Sequence, residues 1–382
     1  MSSVSALTVV KPKYQKIYDA LARGIRNGEL KFGQKIPSEA ALVKKFGASR
    51  ITVGRAVREL QHSGLVKRIA GSGTYVRGGE KASRKGLLFG LIIPDLGETE
   101  IFEPICQGIA GAGRAGDHAL MWGHANCVGE SKPEQALQLC RQCIDRHVSG
   151  VFFAPLEFDA DDTNQAVLNS LRKAKIPVVL LDRRPSGSPD RHRPDLVGID
   201  NQRAGFLATE HLTRLGARHI AFVAPPKSAS TVKARIGGYR EALLTAGLPP
   251  DKQVVVHLTK QPADIKALTT EKGPDAFVCA NDRIAGHLMR ALLDQQIRIP
   301  GDVRVVGIDD VHYASLLPVP LTTMHQPCRE IGAAALEAML DRLERPAMPA
   351  RDILLDCELV VRESCGAAAF AAAESERRRQ KQ

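Results

Sequence analysis

The chain has 382 residues, 44% of them hydrophobic and 25% charged, which is long enough for two or three domains and a sizeable core. Its formal charge of +11 is uneven: residues 1–85 hold 18 lysines and arginines against 5 acidic residues, and the rest hold 35 against 37. The basic character belongs to the first domain, which points to a polyanion partner for that domain alone, and no run reaches the roughly 18 apolar residues of a membrane-spanning helix.

The opening MSSVSALTVVKPKY has no charged segment ahead of its apolar residues, which are too few and too broken for a signal peptide. A cytoplasmic location is expected. Eight cysteines lie singly or in one close pair within segments that read as strands and helices, so free thiols are expected rather than a disulfide framework.

From Tyr14 to Asn27 the apolar residues Ile17, Leu21, Ala22 and Ile25 recur at helical spacing, and the glycines of NGELKFGQ mark a turn. In KIPSEAALVKKFGAS, Ser38 is an N-cap, Glu39 lies in the positive field of the first turn and Gly47 ends a short second helix. Ser49 caps a third, with Ile51, Val53, Val57 and Leu60 as its expected apolar face and Arg50, Thr52, Arg55 and Arg58 opposite. Two helices joined by a tight turn, the second opening on polar and basic residues, have the geometry that carries a helix N-terminus into a major groove. LVKRIAGSGTYV then reads as a hairpin, a wing carrying Lys67 and Arg68. Its glycines are not a P-loop, since no G-K-[ST] follows.

The succession GEL, IPSE, FGASR, TV, EL, SGLV and GSGTYV resembles the winged helix-turn-helix domain of the GntR family over about residues 12–78, and the domain is bounded at 10–78. The resemblance implies DNA contacts at Arg50, Thr52, Gly71 and Gly73; Ser49, Arg55, Lys67 and Arg68 join them as candidates for contact with double-stranded DNA. Arginine grips guanine O6 and N7 with two parallel bonds, and glycines let backbone amides approach phosphate. Ala40 and Gly54 stand where many members of that family have arginine, so the operator cannot be borrowed from the family.

Residues 79–86, GEKASRKG, read as a linker. Apolar strands then alternate with helices, from GLLFGLIIP through HALMWG, GVFFAP, IPVVLLD, LVGID, HIAFVAP, VVVH and DAFVCA to VRVVGID. Helices are expected near 102–115, 132–147, 165–174 and 232–246. Strands apolar on both faces and separated by helices indicate parallel sheets covered on both sides, and their number suggests two α/β halves facing across a cleft.

IPVVLLDRR, VGIDNQRAG, HLTRLGARHIAFVAP, ARIGGYREAL, CANDRIA, IPGDVRVVGIDD and PLTTMHQP resemble the effector-binding core of LacI/GalR regulators over about residues 87–362. The pairing with the N-terminal domain resembles arabinose-repressor-like regulators. The resemblance implies a two-lobed, periplasmic-binding-protein-like core, with lobes at 87–198 plus 327–353 and 199–325 plus 354–362. Chain crossings are expected near Gly198–Asn201, Met324–Gln326 and Leu354–Cys357.

Ligands in open α/β layers bind beyond the carboxyl ends of the strands, which selects Asp95, Asp182, Asn281, Asp282 and Asp309. The LacI resemblance implies effector contacts at Asp182, Arg235, Asn281, Asp309 and Gln326. Carboxylates, amide and guanidinium around a cleft suit a polyhydroxylated ligand, although Asp182 or Asp309 would also serve simply as turn caps. Phe102, Glu103 and Trp122 are further cleft candidates, although a lone tryptophan is more often a core residue.

Cys140 and Cys143 form CxxC with His147 one turn on, but neither a fourth ligand nor a redox context accompanies them. GIAGAG, Gly108 to Gly113, lacks the dinucleotide-binding spacing, and HExxH and GxSxG do not occur. No cofactor, metal or catalytic residue is expected. Residues 363–382 read as a disordered basic tail. These residues lead us to expect a DNA-binding regulator, a homodimeric repressor of carbohydrate-utilisation genes controlled by a sugar. A purine-like or other metabolite in the cleft is the alternative ligand, and an α/β enzyme fused to a DNA-binding domain the alternative class.

Overall fold

The computed structural model describes residues 13–26, 29–30, 33–62, 65–69, 72–76, 86–94, 96, 100–113, 115, 118–123, 131–157, 161–185, 193–249, 254–258 and 273–371. The chain divides into two compact units, Met1–Lys85 and Gly86–Gln382.

The first unit packs α1 (Lys13–Arg26), α2 (Glu39–Phe46) and α3 (Arg50–His62) beside a hairpin of β1 (Val66–Ile69) and β2 (Gly73–Val76). Ser38 accepts from the Ala41 amide (3.2 Å) to start α2, and Gly47 ends it with a left-handed φ of 56°. Strands β1 and β2 pair antiparallel from Val66↔Val76 to Ile69↔Gly73, and Ile36 donates to the Thr74 carbonyl (2.9 Å), seating residues 34–36 along the hairpin. The core is Ile17, Leu21, Leu42, Val53, Ala56, Val57, Leu60, Val66 and Val76. One expectation fails here: Ile51 is 81% exposed, and Ala56 takes its place on the buried stripe of α3.

The second unit holds two six-stranded sheets among the described residues. The first contains β3 (Leu88–Ile92), β4 (Ala119–Trp122), β5 (Gly150–Phe153), β6 (Val178–Leu181), β7 (Asp195–Ile199) and β13 (Asp352–Leu355), in the order β13-β7-β6-β5-β3-β4 and parallel throughout. The second contains β8 (Ile220–Ala224), β9 (Val254–His257), β10 (Ala276–Cys279), β11 (Arg304–Asp309), β12 (Thr322–His325) and β14 (Glu358–Val360). Its order is β14-β12-β11-β10-β8-β9, with only β14 antiparallel. Helices α4 (Phe102–Gly111), α5 (Lys132–Asp145), α6 (Asp161–Lys173), α7 (Asn201–Arg214), α8 (Ser230–Thr245), α9 (Asp282–Asp294) and α10 (Cys328–Glu344) cover them. Alternate residues feed cores on opposite faces: Phe152 and Phe153 in the first lobe, Phe222 and Phe277 in the second, all fully buried. The chain passes between sheets after β7, β12 and β13, close to the three expected crossings.

Among the described residues each lobe pairs two helices in backbone contact. A Cβ on Gly108 would lie 2.1 Å from the Arg329 carbonyl oxygen and one on Gly332 2.0 Å from that of Ile105, which binds α4 to α10. In the second lobe a Cβ on Gly205 would lie 2.1 Å from the Arg235 carbonyl oxygen and one on Gly238 1.8 Å from that of Gln202, which binds α7 to α8. The first glycine of GIAGAG, Gly108, is thus a packing device. Cys140 and Cys143 are buried in the first lobe, where burial pushes their thiols up to about 11 and about 12, far from the range of reactive or metal-binding thiols.

Three expectations change. Helix α6 starts at Asp161 rather than near Gln165; two aspartates in its first turn favour the helix N-terminus electrostatically. Helix α4 stops at Gly111 rather than near Ala115, with Ala112 in an extended conformation at its C-cap. Residues 363–371 are not tail: Ser364 donates to the Val305 carbonyl (2.6 Å) and accepts from the Thr322 amide (2.8 Å), and Cys365 is fully buried. Residues 372–382 lie outside the described residues. Among the described residues no helix is long and apolar enough to cross a membrane, and none of the acidic, histidine and cysteine clusters could hold a metal ion.

Gly238→Ala should destabilise the second unit by about 3 kcal/mol, the upper end of the cost of overpacking, because the new methyl meets backbone rather than a movable side chain. Urea unfolding of both proteins checks this.

Candidate DNA-binding surface and ligand cleft

Helix α3 presents Ile51, Gly54, Arg55 and Arg58 on one stripe opposite its buried face, with Arg50 exposed at its start. The Arg55 guanidinium carbon lies over the Tyr14 ring of α1, 4.0 Å from its centroid. Ser49 Oγ accepts from the Thr52 amide (3.2 Å) and lies 2.8 Å from Thr52 Oγ1, so these two hydroxyl groups form the cap that fixes the helix start. Lys67 and Arg68 are exposed on β1, and Arg68 is 3.7 Å from Glu39. Gly73 has a φ of 133°, a conformation that favours glycine, and Gly71 lies outside the described residues.

In the second unit, a cavity of about 920 Å³ is lined from one lobe by Glu100, Glu157, Asp182 and Arg183 and from the other by Arg235, Asn281, Asp309 and Tyr313. At its floor Arg235, 4% exposed, donates from Nε to Asn201 Oδ1 (2.8 Å) and from Nη1 to the Ala280 carbonyl (2.5 Å), with Asp309 Oδ1 at 3.5 Å. Gln326, also buried, donates to Asp309 Oδ1 (2.6 Å). Burial pushes the Asp309 carboxyl up to about 7 against the opposing pull of Arg235. Behind it Asp282 accepts from the Thr323 hydroxyl (2.6 Å) and the Val311 amide (3.0 Å), and burial raises it to about 6. Across the cleft Arg183 donates from Nε to Asp182 (2.8 Å) and pairs with Glu157, with Phe102 below its guanidinium at 5.7 Å. Asp182, Asp309 and Asp310 all have positive φ, a strain that clusters at functional sites.

Residues 13–76 match the bacterial regulatory proteins of the gntR family, and residues 209–365 match the periplasmic binding protein-like domain. An arabinose metabolism transcriptional repressor of Geobacillus stearothermophilus is 29% identical over 366 residues, 92% of this chain and 97% of the relative. The HTH-type transcriptional repressor PurR of Vibrio atlanticus is 32% identical over 236 residues, 60% of this chain and 68% of the relative. The solved complex of the transcriptional regulator CelR with cellobiose is similar at 26% identity and a TM-score of 0.60, covering 93% of this chain and all of the other. The chain belongs to the transcriptional regulators with a GntR-type head and a periplasmic-binding-protein-like core.

The regulator brings four of the expected effector residues, Asp182, Arg235, Asn281 and Asp309, to one cavity. Asn281 also caps α9, accepting from the Ile284 amide at 2.9 Å. Gln326 lines an adjoining cavity of about 690 Å³ together with Glu103, which shares Glu100, Ile101, Asp309 and Val311 with the first. Phe102 does not line either cavity; it is 4% exposed beneath Arg183. Trp122 is neither core nor cleft but exposed on the edge strand β4, and Asp95 lies outside the described residues. Sequence reasoning missed Arg183, Glu157 and Tyr313. Only Arg183 carried a signal, as the cation next to Asp182 at a strand end.

An ordinary aspartate titrates near pH 4, so ionising the raised Asp309 carboxyl costs the folded state. Its contribution to stability is full below about pH 4 and is lost as pH rises through about 7. Asp309→Asn should therefore gain on the wild type progressively across that interval and no further above it. Thermal unfolding of both proteins at a series of pH values measures the gap; a gap independent of pH would contradict the assignment.

Proposed function

We propose that the regulator is a cytoplasmic homodimer that represses carbohydrate-utilisation genes, leaves its operator when a small sugar occupies the cleft, and performs no catalysis. The observation that carries the sugar reading is the cleft floor, where the Asp309 carboxyl lies 3.5 Å from the Arg235 guanidinium and accepts from the Gln326 amide. A sugar hydroxyl both donates and accepts, and such an array offers both roles side by side. Two relatives, a repressor of arabinose metabolism and a regulator solved with cellobiose, support the same class.

In this reading Asp182, Arg235, Asn281 and Asp309 contact the effector, and Gln326 orients Asp309. Arg50 and Arg55 reach base edges or phosphates from α3, Lys67, Arg68, Gly71 and Gly73 do so from the wing, and Ser49 and Thr52 hold the start of α3. One winged domain offers few base contacts, so two copies reading two half-sites are required. Moving an operator from 99% occupied to 99% free requires the ligand to discriminate between the two states by about 5.5 kcal/mol.

The test is calorimetric titration of the full-length protein with pentoses, hexoses, sugar acids, sugar phosphates and purines, with and without operator DNA. One sugar should bind and weaken the operator complex. Turnover of that sugar, or silence across every sugar, would sink the reading. Arg235→Ala should lose effector binding and keep operator affinity. Arg50→Ala should do the reverse, losing about 1–3 kcal/mol of operator binding and relaxing base preference.

A further inference from the structure

Ile51 has the highest exposure of the large hydrophobic side chains among the described residues, although its side chain is of the kind that cores bury. Three residues on, Gly54 stands on the same face. A Cβ added there would meet nothing within 4 Å, so no contact within the described head requires glycine, and glycine inside a helix is less stable than alanine. Both residues work against the folding of the head: one leaves a branched apolar chain in water, the other loosens the helix.

Against a major groove both choices make sense. Thymine is the only one of the four bases that presents a methyl group there, and a branched aliphatic side chain can cover it. A helix without a side chain at position 54 lies one Cβ closer to the base edges. Arg55 and Arg58 continue the stripe and Arg50 flanks it, so the apolar spot is ringed by cations that suit phosphate and guanine. The excess of 13 positive charges in residues 1–85 makes the occupant a nucleic acid rather than an apolar protein surface.

We propose that Ile51 reads the 5-methyl group of a thymine in each operator half-site and that Gly54 is the notch that lets it reach. The inference rests on α3 being the helix that enters the groove.

The full-length protein is used to select its operator from random duplex DNA, and each thymine of the selected site is then replaced in turn by deoxyuridine, which removes only the methyl group. At one thymine per half-site the replacement should weaken wild-type binding about fourfold, the worth of one buried methyl. Ile51→Ala should bind the thymine and uridine versions equally, and it should melt with the wild type because the side chain it loses is already in water. Gly54→Ala should hold or raise thermal stability while weakening the operator by about tenfold, the scale of one mismatched base pair. Equal uridine effects in wild type and Ile51→Ala at every position, or a selected operator without thymine, would overturn methyl reading. Full operator affinity in Gly54→Ala would overturn the notch. Selection that enriches no sequence would instead remove the premise that the head recognises a specific site.

Discussion

The cleft floor is built around a buried cation. Arg235 is 4% exposed, and a guanidinium in that position is tolerable only when its donors are taken up. Asn201, the Ala280 carbonyl and Asp309 provide the acceptors. Their geometry depends on α8 lying in backbone contact with α7, and that contact exists because residue 205 has no side chain to stand between the helices. The glycine that faces the Arg235 carbonyl therefore sets where the guanidinium ends. The same buried positive charge limits how far burial raises Asp309, so packing of two helices and protonation of a carboxyl at the cleft floor are linked.

The two lobes share a helix-pairing device but present different chemistry. In the first lobe the close approach of α4 and α10 through Gly108 and Gly332 steadies Phe102, and Phe102 lies under Arg183. Arg183 is itself held by Asp182 and Glu157. A guanidinium gripped by two carboxylates has a fixed position, so this wall is pre-shaped. The opposing floor has a carboxyl near its titration point, which is able to donate or accept as a ligand requires. Rigid shape on one side and adaptable hydrogen bonding on the other is a sound arrangement for telling one polyol from another.

Much of this was legible in the sequence, for a physical reason. Parallel strands covered on both faces are apolar at every position, so GLLFGLIIP and VRVVGID announce themselves, and the rule that ligands sit beyond carboxyl ends of strands located Asp182, Asn281 and Asp309. What stayed hidden were properties that depend on azimuth or on distant chain. Ile51 fell on the wrong side of α3 because its spacing to Val53 is two residues, which places them 160° apart on a helix of about 3.6 residues per turn. The role of Arg183 stayed out of view because its partner Glu157 lies 26 residues away. Ser364 and Cys365 looked like the start of a polar tail because nothing local shows that Thr322 and Val305 wait to bond them. Trp122 could not be placed by composition at all, since an edge strand leaves its side chain exposed where a central strand would bury it.

Two of the three passages between lobes are tied directly to the cleft floor. Asn201, which accepts from Arg235, follows the passage after β7. Gln326, which donates to Asp309, is the passage after β12. A ligand that takes a hydrogen bond from Arg235 or gives one to Asp309 competes with, or reinforces, a bond that fixes the backbone at the turning point between lobes. No strand has to be broken for the lobes to change their angle, because each passage lies between elements rather than within one. Ligand free energy is thus delivered where a small rotation is least opposed, and only the part that differs between the open and closed angles can reach the DNA.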